Sequence, residues 1–147
     1  MSVLVAGVAG FIGRHGARAL LARGEAVMGI DNFSAYYDPI LKFARLKPLR
    51  EAQGFTFLEA DVADREQLAR VIQEIAESGF PLIGVIHSAG VAHDAVMGNL
   101  TAEDLRRVFR PKVTGAWNLH ILPHDHPLDY LLRVPTTCSA APPIASP

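Results

Sequence analysis

At 147 residues, half of them hydrophobic and a fifth charged, the chain has the length and composition of one globular domain with a buried core, which excludes disorder throughout. Its 14 basic and 15 acidic side chains give no electrostatic basis for binding nucleic acid or an anionic membrane, and no run approaches the roughly 20 apolar residues of a bilayer span. A single cysteine, Cys138, cannot form an internal disulfide, so we expect a cytoplasmic protein.

Three glycines follow the first apolar run, residues 2–6, at three-residue intervals. Gly7 would permit a tight turn out of a strand, and Gly10 would let the backbone approach a pyrophosphate at the positive N-terminus of the next helix. Gly13 would let that helix pack closely on the sheet. The spacing predicts a dinucleotide site, and the alternative is a glycine-rich turn that binds nothing.

A second apolar run, residues 26–30, ends in an acid, Asp31. From this position a carboxylate accepts hydrogen bonds from the adenosine ribose of a dinucleotide. The negative charge of Asp31 would repel a 2′-phosphate, so the residue slightly favours NAD over NADP. The first 31 residues thus predict strand, turn, helix, strand and ribose-binding acid in sequence.

The next predicted elements are a loop, a helix and a third strand. The loop covers residues 32–37, and Asp38, which precedes a proline, predicts a helix N-cap. The helix would run to about Glu51, and residues 55–60 predict the third strand, which leads into another acid, Asp61.

The second half of the chain continues the alternation. Asp64 and Gln67 have the spacing of a capping box, and the helix after them would end at Gly79. Its buried face would comprise Leu68, Val71, Ile72 and Ile75. Residues 82–86 predict the fourth strand, and a fifth begins near Tyr130. Strands that alternate with helices predict an α/β fold with a doubly wound parallel sheet, the Rossmann fold.

The predicted domain covers residues 1–134, and residues 135–147 form an Ala/Pro-rich tail that we expect to be disordered. Proline cannot donate to a sheet ladder, so we expect the sheet to be truncated after about five strands. The exposed edge of the fifth strand would favour a homo-oligomer. A natural short protein, a hybrid and a truncated or frameshifted fragment are all compatible with this pattern.

The spacing of Gly7, Gly10 and Gly13 resembles the short-chain dehydrogenase/reductase (SDR) superfamily of NAD(P)-binding enzymes. Within residues 1–60, the segment Asp-Asn-Phe-Ser-Ala-Tyr-Tyr-Asp-Pro at 31–39 is similar to UDP-glucuronate epimerases, which act on nucleotide sugars. One departure is Ala6, where that family usually has threonine.

The superfamily resemblance also covers the segments after the third and fourth predicted strands. Asp61-Val62 resembles the adenine-contacting Asp-Val pair, and His-Ser-Ala-Gly at 87–90 resembles the Asn-Asn-Ala-Gly motif. With the glycine turn and the acid, this implies that a nicotinamide dinucleotide is bound by Gly7, Gly10, Phe11, Ile12, Gly13, Asp31, Asn32, Asp61, Val62, Ser88, Ala89 and Gly90.

Residues 55–132 resemble the ketoreductase (KR) domains of modular polyketide synthases, most clearly at 84–91, 100–105 and 110–120. This resemblance implies a catalytic role for Lys112 and the use of NADPH. A lysine near the nicotinamide ribose could orient it and lower the pKa of a proton-donating tyrosine. The alternative for Lys112 is a solvated lysine in the first turn of a helix.

The residues that should complete the catalytic group are not found. SDR chemistry uses a hydroxyl after the fifth strand and a tyrosine about a dozen residues later, but the match to the family is lost by Arg133. None of the three tyrosines, Tyr36, Tyr37 and Tyr130, has a lysine or asparagine four residues later. Whether the chain is an enzyme therefore stays open at this point.

Three functions are compatible with these patterns. The first is a catalytically incomplete ketoreductase-like domain, for which a small carbonyl compound would be the substrate. The second is a nucleotide-sugar epimerase-like domain, and the third is an inactive cofactor-binding or dimerisation module. We expect no metal site, because the spacing of His120, His124, Asp125 and His126 matches no closed zinc site.

Overall fold

A computed structural model of the chain describes residues 1–36 and 38–134, so the predicted tail at 135–147 lies outside the described residues. Within these ranges no helix has both the length and the apolar composition needed to span a membrane.

The described residues contain one parallel sheet of five strands in the order β3-β2-β1-β4-β5. The strands are β1 Ser2–Ala6, β2 Ala26–Asp31, β3 Phe55–Glu59, β4 Leu82–His87 and β5 Tyr130–Arg133. All five lie where the sequence predicts them, and the predicted ends of β2, β3 and β4 each differ by one residue from those observed. Because Ala6 of β1 pairs with Ile30 on one side and His87 on the other, the strands end at a common edge.

Five α-helices connect the strands: α1 Phe11–Ala22, α2 Pro39–Arg50, α3 Arg65–Glu77, α4 Ala102–Phe109 and α5 Ala116–Ile121. The predicted N-caps of α2 and α3 are confirmed, since Asp38 accepts a hydrogen bond from the Ile40 N–H and Asp64 accepts from the Glu66 and Gln67 N–H groups. The Gln67 side chain differs from a capping box, because its Oε1 accepts from the Asp61 N–H. It thereby ties α3 to the end of β3.

The helical tract from Ala102 to Ile121 is interrupted by a π-helical turn, Arg110–Gly115. Pro111 has no N–H to donate within the helix, and a π turn accommodates the missing hydrogen bond. The tract begins at Thr101, which forms a capping box with Asp104. Lys112 therefore lies in the middle of a helical tract, and its alternative placement in the first turn of a helix is wrong.

The core forms two layers, one on each face of the sheet. Alternate residues of a strand face opposite sides, so Leu4 of β1 packs with α3 and α5, whereas Val3 and Val5 pack with α1 and α2. The face of α3 that was predicted to be buried, formed by Leu68, Val71, Ile72 and Ile75, is buried. The doubly wound α/β fold predicted from the sequence is therefore confirmed.

Candidate functional site

A cavity of about 710 Å³ opens at the edge where β1, β2, β3 and β4 end. This volume is within the range of small-molecule and cofactor sites. The structure brings every predicted cofactor residue except Gly13 to the cavity wall: Gly7, Gly10, Phe11, Ile12, Asp31, Asn32, Asp61, Val62, Ser88, Ala89 and Gly90. Segments far apart in the sequence meet here because parallel strands end at one edge.

The glycine turn brings three chain segments into close contact. Gly7 has a φ of 81°, and a Cβ at this residue would lie 2.6 Å from the backbone nitrogen of Ala89. A Cβ at Gly13 would overlap the carbonyl oxygen of Gly7 and lie 2.7 Å from the Oγ of Ser88. Gly13 therefore allows α1 to pack on the end of the sheet, which explains why it lies behind the cavity wall.

The N-terminus of α1 faces the cavity through Gly10, Phe11 and Ile12. Gly10 is the N-cap, so no side chain covers the N–H groups of the first turn. Such N–H groups, together with the helix dipole, bind anions. This end of α1 is therefore suited to the pyrophosphate of a dinucleotide.

Asp31 is held at the end of β2 by three hydrogen bonds. Its Oδ2 accepts from the Ala9 N–H at 3.2 Å, and its Oδ1 accepts from the Phe33 N–H at 2.9 Å. The third donor is the Nζ of Lys42, which lies 3.2 Å from Oδ1 and also 3.3 Å from the Oγ of Ser34. Asp31 is thus a buried carboxylate paired with a buried ammonium group.

Lys42 was not predicted to be part of the site. It is the fourth residue of α2, where the helix dipole disfavours a cation, and this placement is the one local signal that an anion lies nearby. It lines the cavity with Ser34 and Tyr36. The pairing could not be inferred from the sequence, because it depends on the distance between α2 and the end of β2.

Phe33 adopts a left-handed conformation, with φ 47°, which is unusual for an aromatic residue. Its ring stacks on Phe43 at a centroid distance of 4.4 Å and lies 5.5 Å from the ring of Phe57. These contacts hold the residue whose N–H bonds to Asp31. Backbone strain of this kind concentrates at functional sites.

Asp61 lies at the β3 side of the cavity and is less buried than Asp31. It accepts a hydrogen bond from the Ala63 N–H at 2.9 Å and forms an ion pair with the Nη2 of Arg110 at 3.2 Å. Because Arg110 is largely exposed, this pair contributes little to stability. It does connect the two sides of the cavity, since both residues line it.

His87 and Ser88 connect the end of β4 to its neighbours. The Ser88 hydroxyl donates to the Ala6 carbonyl at 2.8 Å, so it fixes β4 against β1. The His87 Nε2 lies 3.0 Å from the Pro111 carbonyl oxygen, which identifies it as the protonated nitrogen when the ring is neutral. Burial lowers the pKa of His87, the hydrogen bond to Pro111 opposes this effect, and the charge of Arg133 adds to it.

Besides His87, Asn118 also holds the helical tract from Ala102 to Ile121 in place. This buried side chain donates from Nδ2 to the Val62 carbonyl at 3.0 Å, and a Cβ at Gly115 would lie 2.6 Å from the Cγ2 of Val62. The tract is therefore fixed at its π turn by His87 and at α5 by the Val62 segment. Neither contact was predicted from the sequence, because each joins residues distant in the chain.

Lys112, the predicted catalytic residue, is half-buried and is not part of the cavity wall, although its neighbours Arg110 and Pro111 are. Among residues 1–36 and 38–134, no three His, Cys, Asp or Glu side chains lie together as metal ligands, and the residues weighed for such a group, His120, His124, Asp125 and His126, form none.

The sequence matches the family model of the KR domain over residues 1–141. It is 32% identical over 145 residues to a phenolphthiocerol/phthiocerol polyketide synthase of Mycobacterium tuberculosis, a match that covers 98% of the chain and 6% of that protein. It is 43% identical over 91 residues to UDP-glucuronate 4-epimerase 3 of Arabidopsis thaliana, which covers 62% of the chain and 20% of the epimerase. Both predicted resemblances are confirmed.

Solved structures give the same two relationships. A structure of A-type ketoreductases from a modular polyketide synthase is 38% identical with a TM-score of 0.73, over 90% of the chain and 28% of that protein. The UDP-glucuronic acid 4-epimerase of Bacillus cereus, solved as a Y149F mutant with a fluorinated UDP-sugar and NAD, is 25% identical with a TM-score of 0.73, over 90% of the chain and 39% of the epimerase. The chain thus spans less than half of the length of each of these relatives.

Proposed function

The chain belongs to the KR domain family, and we propose that its cavity holds a nicotinamide dinucleotide in a ketoreductase-like domain that is catalytically incomplete in its described residues. The chemistry of such a domain is hydride transfer between the nicotinamide and a carbonyl or alcohol carbon. The observation that carries the proposal is the convergence of eleven predicted cofactor residues on one cavity at the N-terminus of α1.

Each part of the wall suits one part of the dinucleotide. The N–H groups after Gly10 would bind the pyrophosphate, and the carboxylate of Asp31 would accept from the adenosine ribose. Asp61 and Val62 would contact the adenine. The backbone at 88–90, at the end of β4, would border the nicotinamide side. Asp31 supports a preference for NAD over NADP.

The substrate we propose is a small ketone. The nicotinamide supplies the hydride, and the chain would have to hold the carbonyl and deliver a proton to its oxygen. Lys112 is the candidate for a catalytic role because it lies in the Pro-Lys-Val segment of the KR resemblance.

A nucleotide sugar is the second candidate substrate. It is favoured by the epimerase-like segment at 31–39, whose Asp31 and Ser34 line the cavity. In that reaction the dinucleotide would oxidise a sugar hydroxyl and then return the hydride.

The test is a fluorescence titration of the dialysed protein with NADH and NADPH, repeated on Gly10→Asp. Aspartate is a favourable N-cap, but its Cβ would lie 3.0 Å from the Gly7 carbonyl oxygen, so folding of the variant is checked by urea unfolding. Its carboxylate would occupy the anion site and abolish saturable binding. Gly16→Asp is the matched control, because it adds the same charge to α1 at a position with open space around it. Loss of binding in both variants, or in neither, would contradict the proposed site, as would a folded wild type that binds neither dinucleotide.

A further inference from the structure

The ribose end of the cavity contains a fully formed buried ion pair. The side chains of Asp31 and Lys42 are only 6% and 7% exposed, and their charged atoms are 3.2 Å apart. Burying two charges costs free energy that is recovered only with close geometry and further hydrogen bonds. The Ala9, Phe33 and Ser34 contacts supply those hydrogen bonds.

Within residues 1–36 and 38–134, the hydrogen bonds of this pair leave one donor and one acceptor position open. Asp31 Oδ1 accepts two hydrogen bonds, whereas Oδ2 accepts one and keeps a second acceptor position. Lys42 has three N–H groups and makes two hydrogen bonds, to Asp31 and Ser34. Since Asp31, Ser34 and Lys42 all line the cavity, the pair presents one acceptor and one donor to a ligand there.

The ion pair also changes the charge that a ligand meets. An isolated Asp31 would repel a 2′-phosphate, but the adjacent ammonium group offsets that charge. Around the whole cavity, four basic residues (Lys42, Arg106, Arg107, Arg110) and three acidic ones (Asp31, Asp61, Glu103) line the wall, a net charge of +1. Neither the ion pair nor the net charge of the cavity wall excludes the 2′-phosphate of NADP.

We propose that Lys42 sets the cofactor preference of this chain by offsetting Asp31, so that the site accepts both NAD and NADP with only a small preference for NAD. The inference rests on the proposed dinucleotide function and adds the residue that decides between the two cofactors. Asp31 would accept from the 3′-hydroxyl of the adenosine ribose, which both cofactors carry, and Lys42 would donate to the 2′-phosphate when one is present.

The decisive comparison is between Asp31→Asn and the double variant Asp31→Asn/Lys42→Met, each titrated with NADH and NADPH. Asp31→Asn keeps an oxygen acceptor for Lys42 but leaves its buried ammonium group without a counter-charge, whereas the double variant leaves no charge of the pair buried. Urea unfolding of each variant therefore precedes its titration, and only folded protein is compared. Removing the ammonium group should weaken NADPH binding by at least about tenfold and change NADH binding much less, because only NADPH carries the 2′-phosphate. In the wild-type background, Lys42→Met should likewise raise the preference for NADH.

Lys47→Met is the matched control, since Lys47 is an exposed lysine of the same helix and does not line the cavity. It should leave both affinities unchanged. An equal loss of NADH and NADPH affinity on removing Lys42 would overturn the inference while leaving the dinucleotide site intact. A wild type that binds neither dinucleotide would instead overturn the proposed function.

Discussion

His87 connects the sheet to the helical tract that borders the cavity. Its buried ring keeps one nitrogen on the Pro111 carbonyl, while Nδ1 has no hydrogen-bond partner among the described residues. Protonation would place a second N–H at Nδ1 where no acceptor lies, close to the charge of Arg133 on β5. The neutral ring is therefore the form compatible with this packing.

This residue makes stability depend on pH. Burial lowers the pKa of folded His87 below its ordinary value of 6.5. Between the lowered value and 6.5 the unfolded chain binds the proton and the folded chain does not, so stability falls as pH drops through that window. Urea unfolding at pH 7.5, 6.5 and 5.5 should show this loss in the wild type.

His87→Gln is the comparison, because its side-chain amide can still donate to the Pro111 carbonyl but does not titrate. The variant should lose less stability than the wild type between pH 7.5 and 5.5. Hydrogen bonds hold the pKa values of Asp64 and Asp104 below 3.8. These carboxyl groups therefore change protonation only below the pH range of the comparison and do not affect it. Equal pH slopes would contradict the role assigned to burial of His87.

At the scale of elements, α1 allows the same substitution to be tested at two positions with opposite expected results. Gly13→Ala would place a methyl group against the Gly7 carbonyl, a backbone atom that cannot move aside, so α1 must shift from the sheet. We expect a loss of about 1–3 kcal/mol in the free energy of unfolding, together with weaker dinucleotide binding.

Gly16→Ala serves as the control, since nothing lies within 4 Å of its added Cβ. Alanine favours the helix, so the free energy of unfolding should rise by about 0.5–1 kcal/mol. Urea unfolding of both variants measures whether the free energy of unfolding rises or falls. Destabilisation by Gly16→Ala, or none by Gly13→Ala, would contradict the packing described for α1.

Local patterns predicted the strands and the capped helices because the determinants lie within each element. Asp38 and Asp64 accept hydrogen bonds from N–H groups two residues away, and β1 is apolar from Val3 to Ala6. The π turn has a local cause in Pro111, but the contact that fixes it was not predicted, since the carbonyl of Pro111 is bonded to His87, 24 residues away in sequence. A contact of that range has no local sequence signal.

At the scale of the molecule, the site could be predicted in outline because a parallel sheet collects the carboxyl ends of its strands at one edge. The ion pairs of Lys42 and Arg110 could not, since each depends on how far a helix lies from that edge. The domain boundary at 134, the tail and an oligomer formed through the edge of β5 stay predictions. Within the described residues, β5 pairs only with β4.

The whole chain combines a well-formed cofactor cavity with no clear proton donor among the described residues. Tyr130 begins β5 opposite Gly84, at the amino end of the sheet, and burial and Glu25 raise its pKa there. Tyr36 lines the cavity, as Asp31 does, and Tyr37 lies outside the described residues. The geometry of the described residues therefore accounts for the proposed dinucleotide binding but not for turnover.

The corresponding measurement is oxidation of NADH and NADPH in the presence of small ketones, with Gly10→Asp as the blank. We expect the wild-type rate to equal that of the variant even at saturating cofactor, because Lys112 does not line the cavity and Tyr130 lies at the opposite end of the sheet. A rate above the blank that disappears in Lys112→Met would contradict this expectation. It would then assign the catalytic role to Lys112, and the helical tract would have to move to bring this residue to the cavity.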